Sequence, residues 1–128
     1  KILKHVSLNL MDMQRSVIVI DDDEDTVRLF SEFLEEKDIK VVGNGYDGIT
    51  AIKLYKEKKP DVVLIDMMMP NGSGFHAIKK IRDINPKAKV IAISGDNSYL
   101  IEDKLEKLSI QFVHKPFNIE QILSIINA

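Results

Sequence analysis

Five short apolar runs, rich in β-branched residues, constrain the fold of this chain more than any other feature. The runs are VIVI (17–20), IKVV (39–42), VVLI (62–65), VIAI (90–93) and FV (112–113). Near-continuous apolar runs, as opposed to alternating ones, are typical of strands buried on both faces of a parallel sheet. The sequence therefore predicts five parallel strands.

Helical patterns separate these strands. Three segments carry apolar stripes at helical spacing, namely Val27, Phe30 and Leu34; Ile101, Leu105 and Leu108; and Ile119, Ile122, Leu123 and Ile126. Two more, YDGITAIKLYKEKKP and SGFHAIKKIRDINP, have a glycine near the start and a proline after the end, as helices often do. Right-handed crossovers would cover both faces of the sheet. We predict an α/β fold, a doubly wound (βα)5 three-layer sandwich.

Composition narrows the class of protein. The 128 residues are 45% hydrophobic, include no cysteine and carry a net charge of −2. This length suits one domain with a proper core, and a cysteine-free chain favours the cytoplasm. The charge argues against nucleic-acid binding, and no apolar run is long enough to cross a membrane. Residues 1–15, which lack the pattern of a signal peptide, are expected to be a leader or a segment added by cloning.

Chemically active residue types follow four of the five predicted strands. They are Asp21, Asp22 and Asp23 after the first strand, Asp66 after the third, Ser94 and Gly95 after the fourth, and Lys115 after the fifth. The carboxyl ends of parallel strands meet at one edge, where such folds bind ligands. Asp21, Asp22 and Asp66 would sum to −3, which Mg²⁺ and the Lys115 ammonium would balance. With a hydroxyl and a backbone N–H to receive phosphoryl oxygens, the set predicts a phosphoaspartate site.

Each of these residues also has a simpler interpretation. Asp23, Glu24 and Asp25 are expected to cap the following helix, and the pair Asp21–Asp22 by itself fits either interpretation. Taken singly, Asp66 would be a turn residue, Ser94 a helix cap and Lys115 a solvated surface lysine. The four strand ends in combination are much more specific than any one of them.

Residues 16–128 resemble the receiver domain of the response-regulator family of two-component signalling. The stretches VIVIDDD, YDGITAI, PDVVLIDMMMPNGSG, VIAISG and FVHKPF carry this resemblance in family order. It implies a flavodoxin-like strand order, 2-1-3-4-5. It also implies a signalling domain, not an enzyme, that accepts a phosphoryl group from a histidine kinase or phosphotransfer protein. Its output would pass to an effector, or to a phosphorylation-linked dimer, through the fourth helix, fifth strand and fifth helix.

The resemblance assigns roles to individual residues. Asp66 would be the phosphoacceptor, and Ser94 and Phe112 would form a switch pair of hydroxyl and aromatic ring. Lys115 would reach the phosphoryl group, and the bond between Lys115 and Pro116 would be cis. The resemblance also implies a Mg²⁺ site in which Asp22, Asp66 and the main-chain carbonyl of Met68 are ligands, and in which Asp21 acts directly or through water.

The sequence departs from the common family pattern at three positions. Ser73 replaces an aspartate at a peripheral position, Met68 is larger and less polar than the asparagine of some relatives, and Phe112 lacks the hydroxyl of tyrosine. We expect Met68 to affect the lifetime of the phosphoryl group.

Three other classes of protein share parts of this pattern. An aspartyl-phosphate phosphohydrolase would need an acid two residues after its nucleophile, where Met68 stands. A flavodoxin-like cofactor carrier would need a phosphate-binding loop after the first strand, where three carboxylates would repel phosphate. A degenerate receiver that acts only through protein contacts should have lost part of the acid–lysine set, and this sequence retains the whole set.

Overall fold

The computed structural model describes residues 14–95 and 99–128. All but the last two residues of the predicted leader, 1–15, lie outside the described residues. The strands are β1 (Ser16–Ile20), β2 (Lys40–Gly45), β3 (Val62–Asp66), β4 (Lys89–Ser94) and β5 (Gln111–His114). The helices are α1 (Glu24–Glu36), α2 (Gly48–Lys58), α3 (Ser73–Ile84), α4 (Tyr99–Lys107) and α5 (Ile119–Ile126), with a 3₁₀ turn at Pro70–Gly72.

The sheet has the predicted topology. Its five strands are all parallel and lie in the order β2-β1-β3-β4-β5. β2 lies on one side of β1 and β3 on the other. The connection that leaves β1 therefore leads towards one edge of the sheet, and the connection that leaves β3 leads towards the other edge. The carboxyl ends of β1 and β3 therefore form the switch point at which doubly wound sheets bind ligands.

Side chains of the central strands alternate between two apolar cores. Val17 and Val19 of β1 pack in one core with Val27 of α1 and Ile122 of α5. Ile18 and Ile20 pack in the other core, whose members from the remaining helices include Ala51, Ile78, Ile81 and Leu105. Thus α1 and α5 cover one face, and α2, α3 and α4 cover the opposite face. Burial of both faces explains why the strands are nearly continuous apolar runs.

Polar residues fix the helix ends much as the sequence predicts. Asp23 is the N-cap of α1 and accepts hydrogen bonds from the Asp25 N–H and the Thr26 hydroxyl. The capping interpretation of Asp23 is therefore confirmed. Leu108, the last residue of the predicted apolar stripe, lies one residue beyond α4 and is 37% exposed. Ser109 takes a left-handed φ of 57° there, and the Ile110 N–H closes the end on the Leu105 carbonyl, so that Ile110 enters the core instead.

Candidate functional site

Three carboxylates converge at the carboxyl ends of β1 and β3. Asp66 is the last residue of β3, and Asp21 and Asp22 follow β1 directly. Each of the three offers one oxygen atom, and these atoms lie within 4.8 Å of one another. Asp21 and Asp66 are buried, with 8% and 4% of their surface exposed, whereas Asp22 is exposed. The sequence-predicted acid cluster is therefore brought together by the fold.

Two of these acids also shape the turns that follow their strands. Oδ1 of Asp21 accepts a hydrogen bond from the Asp23 N–H at 3.0 Å, and Oδ1 of Asp66 accepts one from the Met68 N–H at 2.9 Å. The turn interpretation of Asp66 is thus correct as far as it goes. A carboxylate has two oxygen atoms, so a turn bond through one of them is compatible with a second role for the other.

Burial and like charge act together on Asp21. Desolvation by burial is the main cause that raises the pKa of Asp21 to about 7; the neighbouring Asp66 adds to the rise, and the hydrogen bond from the Asp23 N–H opposes it. A carboxyl group in this position keeps its proton more readily than an exposed one does. A cation beside it would favour the ionised form.

The donor set fits a hard divalent cation. Three carboxylates lie together with two of them buried, and oxygen ligands of this kind bind Mg²⁺ and Ca²⁺. The ammonium of Lys115 lies 3.7 Å from Oδ2 of Asp66 and supplies one positive charge. A divalent cation would supply the other two that three ionised carboxylates need. The acidic cluster is therefore consistent with divalent metal binding.

Lys115 is positioned by the extension of the sheet beyond β5. Its N–H donates to the Ser94 carbonyl at 2.9 Å, which continues the pairing of β4 with β5. The peptide bond between Lys115 and Pro116 is cis, as the family resemblance implies. The side chain is 44% exposed and reaches across the end of β4 to Asp66.

Ser94 ends β4 with its side chain fully buried. Its hydroxyl donates to Oε2 of Glu102 on α4 at 2.8 Å, and the same oxygen lies 2.6 Å from Nδ1 of His114 on β5. Phe112, the other member of the predicted switch pair, is half-buried against the core that α4 covers. Sequence reasoning missed both Glu102 and His114. The available signal was that His114 stands two residues after Phe112, on the same side of β5.

Met68 and Gly95 are close neighbours at the mouth of the site. A Cβ atom on Gly95 would lie 2.9 Å from the Met68 sulfur, so glycine leaves the space that the thioether uses. The Met68 side chain is nevertheless 53% exposed. It thus lies over the end of β4 and is open to solvent.

Comparisons with known proteins agree with this geometry. The family described as "Response regulator receiver domain" matches residues 17–127. The chemotaxis protein CheY of Thermotoga maritima is 32% identical, with 90% of this chain and 97% of the relative covered, and CheY of Bacillus subtilis is 31% identical with the same coverage. The solved receiver domain of the Francisella response regulator 1452 is 29% identical with a TM-score of 0.79, covering 89% of this chain and 94% of that one.

The fold, with an acidic cluster at its switch point, defines a flavodoxin-like domain with a candidate cation site. The match of the family model to residues 17–127 identifies which family of this fold the chain belongs to. The chain belongs to the response-regulator receiver domains and is a phosphoacceptor domain of two-component signalling. This membership decides against the phosphohydrolase and the flavodoxin-like carrier. Among the described residues, no helix is both long enough and apolar enough to span a membrane.

Proposed function

We propose that Asp66 is the residue that accepts the phosphoryl group. The observation that carries this assignment is its position, buried at the end of β3 with Lys115 3.7 Å from one oxygen and two further acids close by. A carboxylate oxygen held beside a lysine ammonium can act as a nucleophile towards phosphorus. Asp21 follows the adjacent strand, but its pKa is raised to about 7, so much of it carries a proton near neutral pH and cannot attack phosphorus.

The proposed reaction is transfer from a phosphohistidine of a kinase or phosphotransfer protein. An oxygen of Asp66 attacks phosphorus, the bond from phosphorus to the imidazole nitrogen breaks, and that nitrogen keeps the electron pair. The phosphoryl oxygens then accept hydrogen bonds from Lys115, the Ser94 hydroxyl and the Gly95 N–H. Hydrolysis by water later returns the Asp66 carboxylate, so the domain assists its own reactions and turns over no external substrate.

We assign Mg²⁺ to the acidic cluster, with Asp21, Asp22, Asp66 and the main-chain carbonyl of Met68 as its protein ligands. When bound, Mg²⁺ supplies positive charge for the phosphoryl oxygens. The set of acids and lysine is complete and convergent, which favours an active receiver over a degenerate one. We also propose that the receiver domain comprises residues 16–128, since β1 begins at Ser16.

The proposed output surface consists of α4, β5 and α5, which would bind an effector protein or a second phosphorylated copy. Lys115, which follows β5, is paired with Asp66, and the hydroxyl of Ser94, at the end of the strand beside β3, bonds to α4. A change at Asp66 can therefore reach this surface through contacts that already exist.

Phosphoramidate tests the proposed donor chemistry without requiring the cognate kinase. It carries a phosphorus–nitrogen bond, as phosphohistidine does. With Mg²⁺ present we expect wild-type protein to gain a phosphoryl group that hydroxylamine removes, as it does from acyl phosphates, and we expect Asp66→Asn to gain none. A label that resists hydroxylamine would contradict the aspartyl phosphate.

A further inference from the structure

The Ser94 hydroxyl is already committed to a partner. Ser94 has no exposed surface, and its Oγ donates to Oε2 of Glu102 at 2.8 Å. A serine hydroxyl has one proton to donate. It can donate that proton to Glu102 or to a phosphoryl oxygen at Asp66, but not to both. Glu102 and the phosphoryl group therefore compete for the same donor.

His114 makes the exchange feasible. Its Nδ1 lies 2.6 Å from the same Oε2 of Glu102, and since a carboxylate only accepts, the imidazole is the donor in this contact. When Ser94 leaves, Glu102, which is partly buried, retains His114 as a partner, so its charge is not left unpaired. The pairing of Ser94 with His114 across β4 and β5 keeps both donors beside one acceptor.

The same hydrogen bond holds part of α4. Within α4 only Leu105 is buried, and Tyr99 and Leu100 in the first turn are 82% and 80% exposed. Apolar packing therefore anchors the first turn weakly, with Ile101 only partly buried. Glu102, one turn before Leu105, ties this end of the helix to β4 through Ser94 and to β5 through His114.

We propose that Glu102 is a positioning residue that holds the Ser94 hydroxyl on α4 in the unphosphorylated domain, and that phosphoryl capture by Ser94 releases the first half of α4 from β4. The proposal rests on the function assigned to Asp66 and Ser94 above. It adds a competitor that opposes the phosphorylated state and a direct link from the acceptor to α4. By linkage, the factor by which Glu102 disfavours the phosphorylated state is also the factor by which that state gains when Glu102 is removed.

The test measures how tightly the protein binds beryllium fluoride in excess MgCl₂. The titration is monitored by NMR of the amide groups. Beryllofluoride on Asp66 stands in for the phosphoryl group. We expect Glu102→Ala to bind about tenfold more tightly than wild type, the size of one hydrogen bond to a charged acceptor. Structural damage would weaken binding, so a gain separates positioning from loss of fold. Glu102→Gln changes the side chain less and keeps an oxygen acceptor, so its gain in affinity should be smaller.

Two controls sharpen the measurement. Glu106→Ala removes a glutamate from the exposed side of α4 and should bind as wild type does. In a Ser94→Ala background, Glu102→Ala should add nothing, because the hydroxyl for which Glu102 competes is gone. In wild-type protein, the His114 imidazole should keep its hydrogen-bonded ¹⁵N signature after beryllofluoride is added, while amides of the first turn of α4 exchange faster with solvent.

The possible outcomes distinguish a failure of the proposed function from a failure of the role assigned to Glu102. If wild-type protein shows no Asp66-dependent response to beryllium fluoride, the proposed function fails and takes this inference with it. If wild-type protein responds but Glu102→Ala and Glu102→Gln bind no more tightly, the function stands and the role of Glu102 is wrong. A gain that persists without the Ser94 hydroxyl would overturn the competition in the same way.

Discussion

The Lys115 ammonium lies 3.7 Å from Oδ2 of Asp66, although β4 separates the strands that carry the two residues. The separation is that of an ion pair, longer than a charge-assisted hydrogen bond of about 2.8 Å. Asp66 is buried and Lys115 is half exposed, so the lysine side chain extends from the solvent-exposed edge of the site and places its positive charge beside the buried carboxylate. Lys115 and the three acids are the groups whose charges a phosphoryl group would meet.

Removal of Asp22 should weaken metal binding. Asp22 is the exposed member of the acidic cluster, so its loss removes one charge beside the cation with little effect on the core. We expect Asp22→Asn to lower the affinity for Mg²⁺ at least about tenfold in a calorimetric titration. Asp25→Asn is the matched control, since Asp25 lies on α1 and pairs with Arg28. Equal affinities for Asp22→Asn and wild type would remove Asp22 from the ligand set.

The stability of the metal-free domain should depend on pH through Asp21. Its pKa is about 7 in the folded domain and 3.8 in the unfolded chain, so between these values only the folded state keeps the proton. The resulting stabilisation is fully present below the unfolded pKa and is lost as pH rises through about 7, by about 1 kcal/mol per pH unit. Urea unfolding in EDTA should show this decline in wild type and not in Asp21→Asn. Parallel profiles for the two proteins would refute it.

Met68 should lengthen the life of the phosphorylated form. Its side chain lies over Gly95 at the mouth of the site, and a thioether can exclude water but cannot orient it for attack. We expect Met68→Asn to shorten the half-life of the phosphorylated protein several-fold, and Met68→Leu, which stays apolar, to change it little. Decay of the phosphorylated species can be followed by mass spectrometry. A half-life that is unchanged or longer in Met68→Asn would show that Met68 does not gate water.

Ser94 should couple the acceptor to the output surface. We expect Ser94→Ala to remain phosphorylatable at Asp66, because the nucleophile and the acids are intact. Without the hydroxyl, the phosphoryl group loses one hydrogen-bond donor, and α4 loses the bond from Ser94 to Glu102 that phosphorylation would break. Amide shifts in α4, β5 and α5 on phosphorylation should therefore shrink. Shifts as large as those of wild type would exclude the relay from Ser94 to Phe112.

Much of the fold follows from the sequence because local and global signals agree. Buried strands such as VVLI tolerate only apolar residues on both faces, and caps such as Asp23 mark where helices begin. The acidic cluster was predictable for a related reason. Once the strands are parallel, residues that follow them must share one edge, so Asp21 and Asp66 meet without any knowledge of side-chain packing.

The unpredicted part of the site depends on tertiary placement. Glu102 meets Ser94 only because α4 packs at one angle on the sheet, and apolar spacing along a helix does not reveal that angle. The exposure of Leu108 was not predictable, because Ser109, a residue with no special preference for positive φ, takes the left-handed conformation after α4 and brings Ile110 into the core. The raised pKa of Asp21 depends on burial, which a row of aspartates in a sequence does not indicate.

The most direct test of the central claim is the mass of the intact protein after incubation with acetyl phosphate and Mg²⁺. We predict one added phosphoryl group on wild type and on Asp83→Asn, whose aspartate is exposed on α3 away from the cluster. Asp66→Asn should gain no phosphoryl group, because the nucleophilic carboxylate is gone. A phosphoryl group that still appears on Asp66→Asn at the wild-type level would contradict the assignment of Asp66 as the acceptor.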